Sequence, residues 1–157
     1  MAKNRGKQFE RKFAEDFRRA FPKGTLDRLV DSMSGYKTIS NISDFIGYNY
    51  PNIMYLECKS HEGNLFPLSN LTQYDKLVTK VGIKGVRVGV IIWFIDFDRV
   101  IYVPISTVRK MKVDNVKSIN LRKIDEQGYK YYEIPSVKKR VFLESDYSIL
   151  NNLSDGE

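Results

Sequence analysis

Cysteine is almost missing from this chain: Cys58 is the single one in 157 residues. An intramolecular disulfide is therefore excluded, and so is any zinc site built on paired cysteines. Long apolar runs are missing too. The longest, 88–95, is far below the roughly 18 residues that suggest a membrane span, and the N-terminus MAKNRGKQFE is charged from its start. No Pro/Ser/Gly-rich tract and no internal repeat interrupts the chain, which excludes a low-complexity or repeat architecture. What is there, 42% hydrophobic and 13% aromatic residues, is the composition of a globular protein. The length predicts one domain over 1–150, followed by a flexible acidic tail over 151–157; the charged N-terminus and short apolar runs predict a soluble, cytoplasmic protein with no membrane partner, and no small-molecule cofactor is expected.

The formal net charge is +7, and residues 1–30 carry nine Lys or Arg against four acids. A basic segment of this kind, Arg5 and Lys7 included, suits a phosphate backbone, because each phosphate neutralised releases condensed counterions. The same charges also fit a solvated helix face.

Apolar periodicity sets the expected elements. Phe9, Phe13 and Phe17 recur every four residues, with Ala14 and Phe21 widening the stripe, so a helix is expected over 5–21, broken by Pro22 and Gly24. A strand follows over 25–30, and the Ser, Gly and Asn of 31–41 read as a loop. Segments 43–48 and 53–60 suit the two strands of a hairpin, separated by the turn residues of 49–52. Ser69 is a plausible N-cap for a helix over 69–81 that Gly82 ends. The apolar run of 86–95 reads as a central strand covered on both faces, with 100–103 as its neighbour. A short helix is expected over 105–111, and late strands near 119–124, 129–134 and 139–143. This order gives a mixed α/β sandwich with helices against a central sheet.

Within the second hairpin strand, Met54, Leu56 and Cys58 point one way and Tyr55, Glu57 and Lys59 the other. Cys58 is thus a small core residue and no nucleophile. Twelve residues separate Asp44 from Glu57, enough for the hairpin to set the two side by side. Two acids and one cation can then converge on a point. Magnesium takes oxygen ligands and is held by one or two carboxylates, with waters and a substrate phosphate completing its shell. Asp44 and Glu57 could supply those carboxylates, and an ammonium at Lys59 could orient the attacking water and stabilise charge developing at phosphorus. By itself a D…E-x-K pattern is more often a surface ion pair.

Several ordered motifs make the pattern more specific: Asn4-Arg5-Gly6 followed by Phe9-Glu10, Ser43-Asp44-Phe45-Ile46-Gly47, Leu56-Glu57-Cys58-Lys59, Phe66-Pro67-Leu68, and the helix containing Gln73. Over 3–104 the chain resembles the RecU-type Holliday junction resolvases of Gram-positive bacteria and their phages, a branch of the PD-(D/E)xK nucleases. The resemblance implies a restriction-endonuclease-like fold with a central mixed sheet flanked by helices. It implies a homodimeric DNA endonuclease dependent on Mg2+, with Mn2+ able to substitute, that makes paired cuts in four-way DNA. Asp44, Glu57 and Lys59 match the family's central acids and lysine. Glu10 matches an acid on the first helix that reaches the metal or its water, Gln73 a glutamine near the active site, and Arg28, Ser32 and Arg5 residues that contact DNA. Plainer readings stand beside these: Glu10 as an acid favoured by the helix dipole, Gln73 as a solvated residue, and Asp31, a candidate fourth acid, as a turn residue. His61 is a loop bystander, and Trp93 and Phe94 are core. Tyr36, Tyr48 and Tyr50 either pack or stack on unpaired bases. The segment before Asp44 departs from the family, whose larger members carry a long stalk there. Two alternatives remain open, a nuclease of this fold acting on other DNA and a non-catalytic DNA-binding accessory protein.

Overall fold

A computed structural model describes residues 4–30, 32–34, 37–39, 41–154 and 157, with 32–34 and 37–39 described as backbone. Helix α1 spans Arg5–Ala20. Its four-residue phenylalanine spacing places Phe9, Phe13 and Phe17 on one buried face. The strands that follow are β1 (Thr25–Arg28), β2 (Ser32–Ser34), β3 (Lys37–Ile39), β4 (Phe45–Asn49), β5 (Asn52–His61) and β6 (Leu65–Pro67). After a short helix α2 (Tyr74–Leu77) come β7 (Val86–Phe94), β8 (Arg99–Pro104), helix α3 (Ile105–Val113), β9 (Ser118–Asn120), β10 (Tyr132–Ile134), β11 (Ser136–Lys138) and β12 (Leu143–Ser145).

Six strands form one mixed sheet in the order β1-β4-β5-β7-β8-β10. Only the β5–β7 pair is parallel, and the connection between them carries α2. Every residue of β7 is buried, as a strand covered on both faces must be. On one face Met54, Leu56, Cys58, Ile91 and Trp93 pack against the phenylalanines of α1 and against Leu143, Tyr147 and Leu150. On the other, Val88, Val90, Ile92 and Phe94 pack with Leu77, Val108 and Met111 of α2 and α3. Gly47 lets α1 approach β4 closely, since a Cβ there would lie 2.7 Å from Cζ of Phe17.

A buried carboxylate pins α1 from behind. Asp16 is 1% exposed yet fully paired: its oxygens accept from Arg19 at 2.6 Å and from the Ser145 N–H at 2.9 Å, and Lys12 lies 3.2 Å away. Burial of such a charge is tolerated only with partners of this kind.

Several expectations are corrected. Backbone of the presumed loop 31–41 pairs as a small hairpin, β2 with β3; alternation over three residues a strand is too short to register as a period. The helix expected over 69–81 breaks into a 3-10 turn at Leu68–Asn70, the single turn of α2, and a second 3-10 turn at Val78–Lys80. Ser69 caps nothing; Gln73 occupies the N-cap of α2, and its carbonyl accepts from the Leu77 N–H at 3.0 Å. Within the presumed loop 61–68, β6 pairs with β9, more than fifty residues on. The late strands are shorter than expected, and of the strand expected over 139–143 only Leu143 is in β12, 139–142 being the turn between β11 and β12. In the segment 151–157, Leu153 is buried, and Glu157 accepts from Tyr132 at 2.8 Å and pairs with Lys130. Among the described residues no helix is long and apolar enough to cross a membrane.

Candidate active site

The β4–β5 hairpin sets the site. Phe45 pairs with Leu56, so continuing the antiparallel register by one residue puts Asp44 opposite Glu57. The main chain of Asp44 is anchored from the other side as well, its carbonyl accepting from the Leu29 N–H at 2.8 Å. Its carboxylate reaches across the hairpin, and Oδ2 accepts from the Cys58 N–H at 2.8 Å. Neighbouring Ser43 is buried and donates its hydroxyl to the Phe45 carbonyl at 2.8 Å, which stiffens the approach to β4.

Two residues apart on β5, Glu57 and Lys59 share a face, with Lys59 Nζ 3.8 Å from Glu57 Oε2. Glu57 is only 4% exposed. Burial, and next the charge of Asp44, push its carboxyl up to about 8 against the weaker pull of Lys59. Burial also raises the pKa of Asp44, helped by the charge of Glu10 and opposed by the Cys58 N–H, Lys59 and Arg28. Asp44, Glu57, Lys59 and Gln73 line one polar cleft of about 290 Å³, together with Arg28, Asn41 and Thr72. Sequence reasoning missed Asn41 and Thr72, which sit in stretches without periodic signal.

The other expected residues lie elsewhere. Glu10 lines a neighbouring cleft along α1, where it accepts from both Nη2 and Nε of Arg28, at 2.7 and 3.2 Å. Arg28 borders both clefts. Lys7 lines the α1 cleft, and Arg5 lies 3.9 Å from Glu62. Ser32 belongs to β2 as backbone, while Asp31 and Tyr36 lie outside the described residues. Tyr48 and Tyr50 do not pack in the core, being 43% and 80% exposed, but they mark the turn end of the hairpin, away from Asp44. His61 is tied down: Nε2 meets the Leu65 carbonyl at 2.5 Å, and its ring stands edge-on to Phe66 and Phe94. Cys58 is buried in the core, where loss of solvent, above all, holds its thiol well above the usual range, so it is a poor nucleophile.

Two carboxylates lie side by side here, with the Lys59 ammonium next to Glu57 and the Arg28 guanidinium, paired to Glu10, also lining the cleft. Among the described residues no group of three or more His, Cys, Asp or Glu forms a cage that could hold a metal unaided. The pair instead offers hard oxygen donors beside open volume, the setting in which Mg2+ keeps waters and accepts substrate oxygens. No protein-family model matches the chain, and no curated protein is significantly similar to it.

Proposed function

We propose that this chain is a magnesium-dependent DNA endonuclease of the PD-(D/E)xK fold, a RecU-type resolvase that acts as a homodimer on four-way junctions. The single observation that carries this reading is the facing pair Asp44 and Glu57, both ionising above their ordinary range, in one cleft with Lys59 and Gln73. It is supported by the order helix, strand, hairpin, helix, strand over the first 94 residues, in which the hairpin carries the acids and the lysine.

The donor set fits the metal. Asp44 and Glu57 would hold Mg2+, or Mn2+ in its place, because a divalent cation stabilises the ionised form that burial disfavours in both and that the Asp44 charge disfavours further in Glu57. When bound, the ion supplies Lewis-acid neutralisation of a phosphodiester and activation of water. The Cys58 N–H fixes which oxygen of Asp44 stays committed to the fold and which faces the cleft. Lys59, anchored by Glu57, orients the attacking water and offsets charge on the phosphoryl oxygens. Gln73, at the head of α2, offers an amide to the same phosphate. Arg28 and Lys7 hold flanking backbone, and Glu10 acts on the site through its charge.

A second reading, a nuclease of the same chemistry acting on linear or other branched DNA, is favoured by one feature: between β1 and β4 the chain has room only for the three-residue strands β2 and β3. A panel of four-way, three-way, flap and linear DNA, with and without Mg2+ at one salt concentration, separates the two. Metal-dependent paired incision of the four-way junction is expected. Equal rates on every substrate defeat junction selectivity, and binding with no incision in Mg2+ or Mn2+ leaves a DNA-binding accessory protein.

A further inference from the structure

Helix α1 carries two kinds of basic residue. Lys12 and Arg19 are neutralised within the fold by Asp16 and, for Arg19, by Glu144. Lys7, Arg11 and Arg18 are not. Their spacing of four and seven residues sets them on one helix face, which with Ala14, Phe45 and Arg28 lines a cleft of about 560 Å³. Among the described residues neither Lys7 nor Arg11 meets a carboxylate. Arg18 donates from one Nη to the Leu26 carbonyl at 3.2 Å, which fixes the guanidinium while using one of its several donors. Among the described residues Glu10 is the one acid lining the cleft, and Arg28 already engages it. Arg28 and Val30 line this cleft and the acidic cleft alike, so the two adjoin.

We infer that the α1 cleft is a subsite for the phosphodiester backbone flanking the scissile bond, with Arg11 and Arg18 as its phosphate-gripping residues. From Lys7 to Arg18 the helix advances about 16 Å, comparable to about five nucleotides at 3.4 Å each along a duplex strand. Arginine donors lining a cleft with a small apolar floor, where the Glu10 carboxylate is already engaged by Arg28, suit phosphate, and they carry no base code. Contacts here add affinity independent of sequence and hold the strand in register with Asp44 and Glu57. Naming the ligand as the strand being cut rests on the nuclease reading; the phosphate site itself does not.

The test is anisotropy of a labelled duplex, long enough to cover both clefts, titrated with protein in EDTA over a series of salt concentrations. For Arg11→Ala/Arg18→Ala the slope of log affinity against log salt should flatten by about 2, with roughly tenfold weaker binding at moderate salt. Arg11→Lys/Arg18→Lys should keep most of the slope, which separates lost charge from lost folding. Lys84→Ala/Lys123→Ala, exposed lysines outside both clefts, removes the same charge and should leave the slope nearly unchanged. An unchanged slope in the alanine pair overturns the subsite, as does an equal loss in the Lys84/Lys123 control or an equal loss in the lysine pair. Cleavage in Mg2+ is scored beside binding. Cutting with binding indifferent to Arg11 and Arg18 removes the subsite alone, whereas binding through them with no cutting removes the nuclease reading alone.

Discussion

The Cys58 N–H donates to Oδ2 of Asp44 at 2.8 Å, so the strand that carries Glu57 and Lys59 also aims the facing acid. Asparagine keeps an oxygen to accept that bond and alanine does not. Asp44→Asn should therefore lose cleavage by on the order of 10³-fold, for want of a charged ligand, while unfolding no more readily than the parent. Asp44→Ala should lose cleavage equally and also about 1–3 kcal/mol of stability, because a half-buried N–H is left without its acceptor. Urea unfolding beside single-turnover cleavage reads both. Equal stability of the two variants would show that the cross-hairpin bond contributes nothing.

Glu57 makes the metal-free protein sensitive to pH in an unusual direction. Its carboxyl is raised from an ordinary 4.5 to about 8, so the folded state holds a proton that the unfolded chain has released. Stability from this source is complete below pH 4.5 and is lost as pH rises through about 8, at no more than about 1.4 kcal/mol per pH unit for one proton. The raised pKa of Asp44 acts in the same sense. Melting temperature in EDTA should fall across this window. Glu57→Gln should flatten the fall, and Mg2+ should stabilise most at its alkaline end, where the carboxylates need not release protons to bind it. A melting temperature that climbs from pH 5 to 8 in EDTA, unaltered by Glu57→Gln, would contradict the assignment.

Much of this geometry is legible in the residues, and the rest fails for identifiable reasons. The spacing of Phe9, Phe13 and Phe17 describes α1 because one face meets the sheet along its length. Strict alternation about Glu57 works because β5 buries Met54, Leu56 and Cys58 against α1 and turns Glu57 and Lys59 the other way. Gln73 reaches the cleft as expected, yet from the head of a single-turn helix: Leu71 and Leu77 are buried in the pattern of a longer helix, while the backbone between them is not continuous. Pairing of β6 with β9 was hidden, because three-residue strands joined across such a separation leave no local period. The pairing of Glu10 with Arg28 was hidden for a similar reason, since charge partners eighteen residues apart are chosen by the fold.

His61 is the residue that invites a general-base role, and its contacts argue against one. Nε2 is engaged by the Leu65 carbonyl, and the ring lies against Phe66 and Phe94 on the helix α3 side of the sheet. It does not line the acidic cleft. His61→Ala should leave cleavage within about twofold of the parent at saturating Mg2+ while costing about 1 kcal/mol of stability for the lost hydrogen bond. Loss of the acid limb of the pH–rate profile in this variant would restore His61 to the mechanism.

Glu10 and Arg28 act on Asp44 with opposite signs. The Glu10 charge adds to the effect of burial in raising the Asp44 carboxyl, and the Arg28 charge lowers it. Removing the acid therefore lets Asp44 ionise at lower pH, and removing the guanidinium delays its ionisation. Because magnesium binds the ionised carboxylate, the pH midpoint of Mg2+ binding should move down in Glu10→Gln and up in Arg28→Ala. In the double variant the two influences are both absent, and the midpoint should fall between those of the single variants. Calorimetric Mg2+ titration of the free protein over a pH series measures this without reference to cleavage, so any further role of Glu10 in catalysis appears separately as a loss of rate at the shifted optimum. Midpoints that move in the same direction in the two single variants would mean that the pair acts on the site through structure and not through charge.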